Sequence, residues 1–391
     1  MKPRSAAVPV TLCMAVAMLE GFDIQAMGIS MPRIVAEIAV PPDLKGILFA
    51  INNVGMVLGA LVGGWVADRV GRKPVLVGAV LIFGLFTLAT AASHGYITLM
   101  AARFIAGLGF GAALPNMMAI ASESSPAERR AFTATLVFCG LPLGGGTVAL
   151  LDMLLPSGLG WRTLFVVGGT LPMIVAPALQ WVLSETLGAT QRAAPDKRVP
   201  TWQALFSGGR AAPTLLLWLA FLPTLLILYL LLNWLPSLAK ARGFGTSEAS
   251  VAFNYASAPG ALVLGWLVDR YGARWPLVLS FLGLIGSLVA LGASDNLSNF
   301  VSSAGVAGFF LLGANYALYG VAPGYYPTIM RGTGSGASVA VGRVGSIIGP
   351  LLAGFMLAGG SSASNVLQFM APVAAVAAVA VFVLSFFPRE H

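Results

Sequence analysis

Glu20, Asp23, Arg103 and Arg343 are charged side chains set inside long apolar runs. In a bilayer a charge is costly and ordinarily faces a cavity or a partner, so each marks a candidate site. Glu20 and Asp23 are three residues apart and share one face of a helix. Two carboxylates crowded into a poorly solvated place resist double ionisation, so one of them keeps a proton near neutral pH, as a proton carrier requires. An arginine supplies a permanent cation whose planar fork fits a carboxylate. The chemistry suggested is therefore a proton on Asp23 or Glu20 and an organic anion on Arg343 or Arg103. The bland alternative is that Asp23 and Arg103 form only a structural ion pair. Asp152 stands too near the end of its run to count with these four.

The elements that must hold these groups are membrane helices. Of 391 residues 58% are hydrophobic and 9% charged, too few charges to cover a water-soluble surface. A span needs about 20 mainly apolar residues. Twelve such runs are present, approximately 9–31, 45–67, 74–93, 97–121, 131–155, 161–183, 213–237, 248–268, 275–294, 299–323, 332–358 and 364–387. The polar stretch 184–212, with Pro195, Asp196, Lys197, Arg198 and Pro200, divides them six and six. The expected organisation is an N-terminal six-helix bundle 1–183, a cytoplasmic linker 184–212 and a C-terminal six-helix bundle 213–391.

The net charge of +8 does not signal nucleic acid, because the basic residues fall in short loops between spans. With both termini cytoplasmic the inner side carries fifteen Lys and Arg, and the outer side five: Arg33, Lys45, Arg162, Lys240 and Arg242. That bias sets the orientation. The first run contains Glu20 and Asp23 and lacks a small-residue cleavage site, so no removable signal peptide is expected. Cys13 and Cys139 lie in separate spans, with neither a disulfide framework nor metal-ligand spacing, and no cofactor is expected.

A helix rises about 1.5 Å per residue. The outward-running first span puts Glu20 near the midplane and Asp23 slightly above it, and the inward-running fourth span puts Arg103 in its outer half. Asp23 and Arg103 are expected to meet. Arg343, in the outward-running eleventh span, also falls near the midplane. Gly140, Gly144, Gly145 and Gly146 around Pro142 suggest a bendable fifth span.

An internal repeat frames these charges. Gly64-Trp65-Val66-Ala67-Asp68-Arg69-Val70-Gly71 recurs as Gly265-Trp266-Leu267-Val268-Asp269-Arg270-Tyr271-Gly272, an offset of 265 − 64 = 201. At the same offset Pro126 falls on Pro327, Arg130 on Arg331 and Gly107 on Gly308. Two halves separated by six spans point the same way, so this is a parallel duplication. Asp23 falls on Thr224, Arg103 on Ala304, and Arg343 back on Pro142, so the loops are repeated and the membrane charges are not.

The loop Gly64-x-x-x-Asp68-Arg69-x-Gly71-Arg72-Lys73 resembles the signature between the second and third helices of the major facilitator superfamily. That resemblance implies an all-α fold of twelve helices in two parallel six-helix repeats. It also implies a gating loop made here by Gly64, Asp68, Arg69, Gly71 and Arg72, with Asp269 and Arg270 as its second copy. Gly64 is expected to let helix ends approach, and Gly71 to allow the reversal. The second copy lacks the Arg-Lys ending.

Within the superfamily, Glu20-Gly21-Phe22-Asp23-Ile24-Gln25 resembles the aromatic acid:proton symporter family. Arg103-Phe104-Ile105-Ala106-Gly107, Leu114-Pro115-Asn116 and Gly342-Arg343-Val344-Gly345 match further, so the likeness covers essentially the whole chain. Glu20 departs from it, since many members carry aspartate there. The resemblance implies proton-coupled uptake of an aromatic carboxylic acid such as a hydroxyphenylpropionate or hydroxybenzoate. It places the protein in the bacterial inner membrane, with a monomer the expected state. The first, fourth, seventh and tenth helices line the cavity in that family, and here they carry Gln25, Asn116, Tyr229, Asn233, Trp234, Asn315, Tyr316 and Tyr319. Aromatic walls with a few hydrogen-bonding groups suit a flat organic ligand, although any one of these residues could instead be an interfacial anchor or a packed core residue, Trp234 above all.

Two other classes compete. A proton-coupled exporter of drugs or metabolites shares the fold and a fourth-span arginine, but an exporter of cations has no use for a second central arginine. A membrane-embedded enzyme would need a nucleophile with a base or a metal cluster, and the two histidines, His94 and His391, lie in a loop and at the C-terminus.

Overall fold

Apolar runs of this length satisfy their backbone groups in a bilayer only as helices. The computed structural model describes residues 7–126, 130–155, 160–185, 200–327 and 330–389, the side chains of Pro42 and Ala131 excepted. The helices are α1 Ala7–Ile38, α2 Lys45–Val70, α3 Arg72–Ala91, α4 Tyr96–Glu123, α5 Arg130–Phe138, α6 Gly140–Leu154, α7 Arg162–Val182, α8 Thr201–Phe206, α9 Ala211–Ala241, α10 Glu248–Tyr271, α11 Arg274–Ala293, α12 Leu297–Val321, α13 Arg331–Ala358 and α14 Ala363–Leu384. Among the described residues twelve helical stretches are long and apolar enough to cross a membrane, one of them Phe132–Leu154, made of α5 and α6 together. Two compact units divide the chain, Met1–Pro195 and Asp196–His391.

The fifth span is interrupted between Phe138 and Gly140. Pro142 has no N–H to bond the carbonyl four residues back, which is that of Phe138, so the ladder breaks there. The expected linker is not uniform either. Residues 186–199 lie outside the described residues, as do Lys2, Arg4, Arg129 and His391, but Thr201–Phe206 is helical. Thr214 donates to the Leu205 carbonyl at 2.8 Å and Arg210 Nε to that of Ala204 at 3.0 Å, which ties α8 to the start of α9. Arg33, expected in an outer loop, belongs to α1, where it pairs with Asp152 of α6.

Close helix packing explains which glycines the repeat keeps. In the first unit a Cβ added at Gly59 of α2 would overlap the Leu108 carbonyl of α4, and one at Gly107 would overlap that of Asn52. In the second unit Gly260 of α10 meets the Phe309 carbonyl and Gly308 of α12 that of Phe253. Both pairs stand at the offset of 201, since 59 + 201 = 260 and 107 + 201 = 308. A second seam repeats in the same way: Gly144 of α6 lies against the Met18 carbonyl of α1, and Gly345 of α13 against that of Leu222 of α9. Small residues here let backbones touch where lipid gives no hydrophobic drive for helices to associate.

Gly71 and Gly272 end α2 and α10 with φ of 110° and 77°, values that L side chains rarely adopt. The reversal expected of Gly71 is therefore made by its backbone. Gly64 does not do what was expected of it, because a Cβ there would meet nothing within 4 Å among the described residues, and neither would one at Gly265. The close approach falls on Gly55, Gly59 and Gly63, on the adjoining face of α2.

Gly345→Leu forces α9 and α13 apart and is expected to cost on the order of 1–3 kcal/mol or more, whereas Gly64→Leu meets open space. The melting temperature in detergent should drop for the first and stay near wild type for the second; equal midpoints would contradict this packing.

Candidate functional site

Asp23 and Arg103 meet, each 1% exposed. The contact is a bidentate fork: Nη1 donates to Oδ1 at 3.0 Å and Nη2 to Oδ2 at 2.6 Å. Two further helices add to it, while Arg103 Nε is buried with no hydrogen-bond partner among the described residues. Thr87 of α3 donates its hydroxyl to Asp23 Oδ1 at 2.8 Å, and Asn52 of α2 accepts from Arg103 Nη2 at 3.2 Å. The guanidinium also lies 5.7 Å from the ring centroid of Phe165 on α7. One buried cation thus draws together α1, α2, α3, α4 and α7. Glu20 and Gln25 are buried on the same helix as Asp23, at 1% exposure each.

Thr87, Asn52 and Phe165 were not read from the sequence. Asn52 was within reach of the same depth arithmetic, since α2 and α4 run in parallel and Asn52 and Arg103 each stand seven residues from their helix starts, 52 − 45 and 103 − 96. Thr87 and Phe165 carried no such signal, because which way a side chain turns around its helix axis is set by packing.

The second unit holds a different arrangement. Arg343 of α13, half-buried, donates Nη1 to the Tyr229 hydroxyl of α9 at 2.8 Å. Its head group is thus held by a neutral oxygen rather than standing bare. Asn233 donates to the Tyr229 carbonyl at 2.7 Å, which places its side chain along its own helix, as does the bond from Asn116 to the Ala112 carbonyl at 2.8 Å. Asn315 is 4% exposed, and Tyr316 and Tyr319 are partly exposed. Tyr319 packs edge-on against Phe221 of α9, ring centroids 5.3 Å apart. Trp234 is a packed residue, 3% exposed, with its indole N–H on the Pro350 carbonyl at 3.0 Å, so it is no interfacial anchor. At the positions equivalent to Asp23 and Arg103 stand Thr224, bonded to its own helix at Ala220, and buried Ala304.

The Asp-Arg-x-Gly loop sits apart from both clusters. Arg69 donates to the Trp65 carbonyl at 3.1 Å and stacks 3.6 Å over the Trp65 ring. Arg72 pairs with Glu123 at the end of α4, while the backbone N–H groups of Arg72 and Lys73 donate to the Glu185 carboxylate at 3.1 and 3.2 Å. A carboxylate at the N-terminus of α3 is well placed for the exposed amides and the helix dipole. Asp68 is exposed in the last turn of α2, and it is Glu185 that stands at this N-terminus. In the second copy Asp269 and Arg270 end α10, with Arg270 lying 5.8 Å over the ring of Tyr271.

Twelve spans, duplicated seams and duplicated loops agree with comparison to known proteins. The Major Facilitator Superfamily profile matches residues 13–260 and again 247–391. The chain belongs to the Major Facilitator Superfamily. It is a membrane transporter and not an enzyme. The 3-(3-hydroxy-phenyl)propionate transporter of Escherichia coli (strain K12) is 40% identical to it over 379 residues, 96% of this chain and 93% of that protein. The gallate transporter of Pseudomonas putida is 33% identical, covering 89% of this chain and 85% of its own length. In fold, the chain matches a bacterial homologue of the human lysosomal transporter Spinster, crystallised in an inward-facing and occupied conformation. The TM-score is 0.76 at 17% identity, over 98% of this chain and 97% of that one.

Removing one member of a buried ion pair strands the other and costs about 3–5 kcal/mol. Asp23→Leu is therefore expected to lower the melting temperature in detergent sharply, and Asp23→Leu with Arg103→Met to recover most of the loss. A double variant no more stable than the single one would deny that the two charges answer each other.

Proposed function

We propose that this transporter takes up an aromatic carboxylic acid bearing a ring hydroxyl, a hydroxyphenylpropionate or hydroxybenzoate, in symport with protons. Two six-helix bundles, 1–183 and 213–391 with the linker 184–212 between them, alternate access in a bacterial inner membrane, both termini on the cytoplasmic side. The observation that carries the substrate assignment is Arg343 held at 2.8 Å by the hydroxyl of Tyr229. A carboxylic acid of ordinary acidity is almost fully ionised at pH 7, and an unpaired carboxylate is too costly to hold in a dry place. An arginine whose fork is oriented by a phenol is set to receive such an anion. The relatives named for hydroxylated aromatic acids support the same class.

Asp23, with Glu20 beside it, carries the proton in this reading. Protonation removes the charge that answers Arg103, so proton uptake and loosening of the contact between α1 and α4 become one event. Gln25, Asn116, Asn233, Tyr316 and Tyr319 supply the remaining contacts, and Arg103 is the second choice for the carboxylate. Asp68, Arg69, Gly71 and Arg72, with Asp269 and Arg270, form the gate. One anion crossing with one proton moves no net charge, and each further proton adds about 2.3 kcal/mol per 100 mV of membrane potential.

In proteoliposomes Asp23→Asn is expected to abolish accumulation driven by a pH gradient while sparing counterflow exchange, and Asp68→Asn to slow turnover at unchanged affinity. Uphill uptake by Asp23→Asn at the wild-type level removes Asp23 from the coupling step, and unchanged turnover in Asp68→Asn removes the loop from gating.

Arg343→Ala should eliminate saturable binding of 3-(3-hydroxyphenyl)propionate by the purified protein, and Arg343→Lys, which keeps the charge and loses the fork, should weaken it. Wild-type affinity in Arg343→Ala together with lost binding in Arg103→Ala would exchange the two roles.

A further inference from the structure

A buried acceptor without a donor stands in the second unit. Asn315 of α12 is 4% exposed, and its Oδ1 has no hydrogen-bond partner among the described residues. A folded protein rarely leaves such a group unpaired, because the full desolvation of the oxygen goes uncompensated.

Its position relative to Arg343 follows from the packing. Tyr319, one turn beyond Asn315 on the same face, meets Phe221 of α9 edge-on. Phe221 also faces α13, where a Cβ added at Gly342 would lie 3.3 Å from its Cβ. Two spans intervene between α9 and α12, so these helices run antiparallel. Asn315 precedes Tyr319 by four residues and Tyr229 follows Phe221 by eight, so both lie on the same side of the ring contact. At 1.5 Å per residue they stand roughly 6 and 12 Å from it, about 6 Å apart along the bundle. Along the bundle axis, that offset is on the order of the length of a hydroxylated aromatic ring, as one ligand touching both levels requires.

We propose that Asn315 is the specificity residue for the ring hydroxyl: with the acid's carboxylate on Arg343 and Tyr229, the phenol donates to Asn315. A phenol hydroxyl both donates and accepts, so it satisfies the amide in either orientation. A site built to bond a hydroxyl discriminates strongly against an analogue that lacks it, because the buried polar group is then left unpaired. The neutral amide suits this task, since a carboxylate there would repel the substrate anion. The proposal rests on the aromatic-acid reading above and adds to it the requirement for a hydroxyl.

The test is equilibrium binding to the purified full-length protein with two matched pairs, 3-(3-hydroxyphenyl)propionate against 3-phenylpropionate and 4-hydroxybenzoate against benzoate. The wild type is expected to prefer the hydroxylated member of at least one pair by about tenfold or more. Asn315→Leu, close in volume, should bring that ratio to near one, and Asn315→Ser, which keeps a short hydroxyl, should retain part of it. Arg343→Ala should abolish saturable binding of both members of each pair, and melting temperatures establish that each variant folds. A preference that survives in Asn315→Leu, or a wild type without preference that still binds the acids, overturns the role of Asn315 and leaves the aromatic-acid reading standing. A wild type that binds none of the four acids sinks that reading and this proposal with it.

Discussion

A guanidinium buried between helices has to be answered by a carboxylate, and in the first unit this requirement shapes everything around it. Arg103 and Asp23 form a two-pronged contact at 1% exposure, with Thr87 and Asn52 taking up positions left at its edges. Desolvating the two ions costs several kcal/mol each, repaid only when the geometry is good and the remaining hydrogen bonds are made. The close seam of α2 on α4 is part of that geometry. Gly107 brings the Asn52 backbone against α4 one turn from Arg103, so the small residue and the ion pair are two aspects of one contact.

The two halves answer different demands with the same frame. What repeats at the offset of 201 is backbone packing and reversal: Gly59 with Gly260, Gly107 with Gly308, Gly144 with Gly345, Gly71 with Gly272. What does not repeat is the chemistry, since Thr224 and Ala304 stand where Asp23 and Arg103 would fall. Close packing in lipid admits few solutions and is therefore kept in both copies, whereas a site needs its charges once.

Span number and the meeting of Asp23 with Arg103 were legible because each depends on quantities that add along a helix, apolar length and rise per residue. Rotation about the axis does not add in that way. Gly64 was given a packing role that belongs to Gly55, Gly59 and Gly63, because sequence alone did not say which face of α2 meets α4. Thr87 and Phe165 escaped for the same reason. Glu185 escaped for another: a polar residue just past a span reads as linker, and only the fold brings it to the first turn of α3. The break at Cys139 was half visible, since Pro142 marked the bend but its consequence lies four residues upstream.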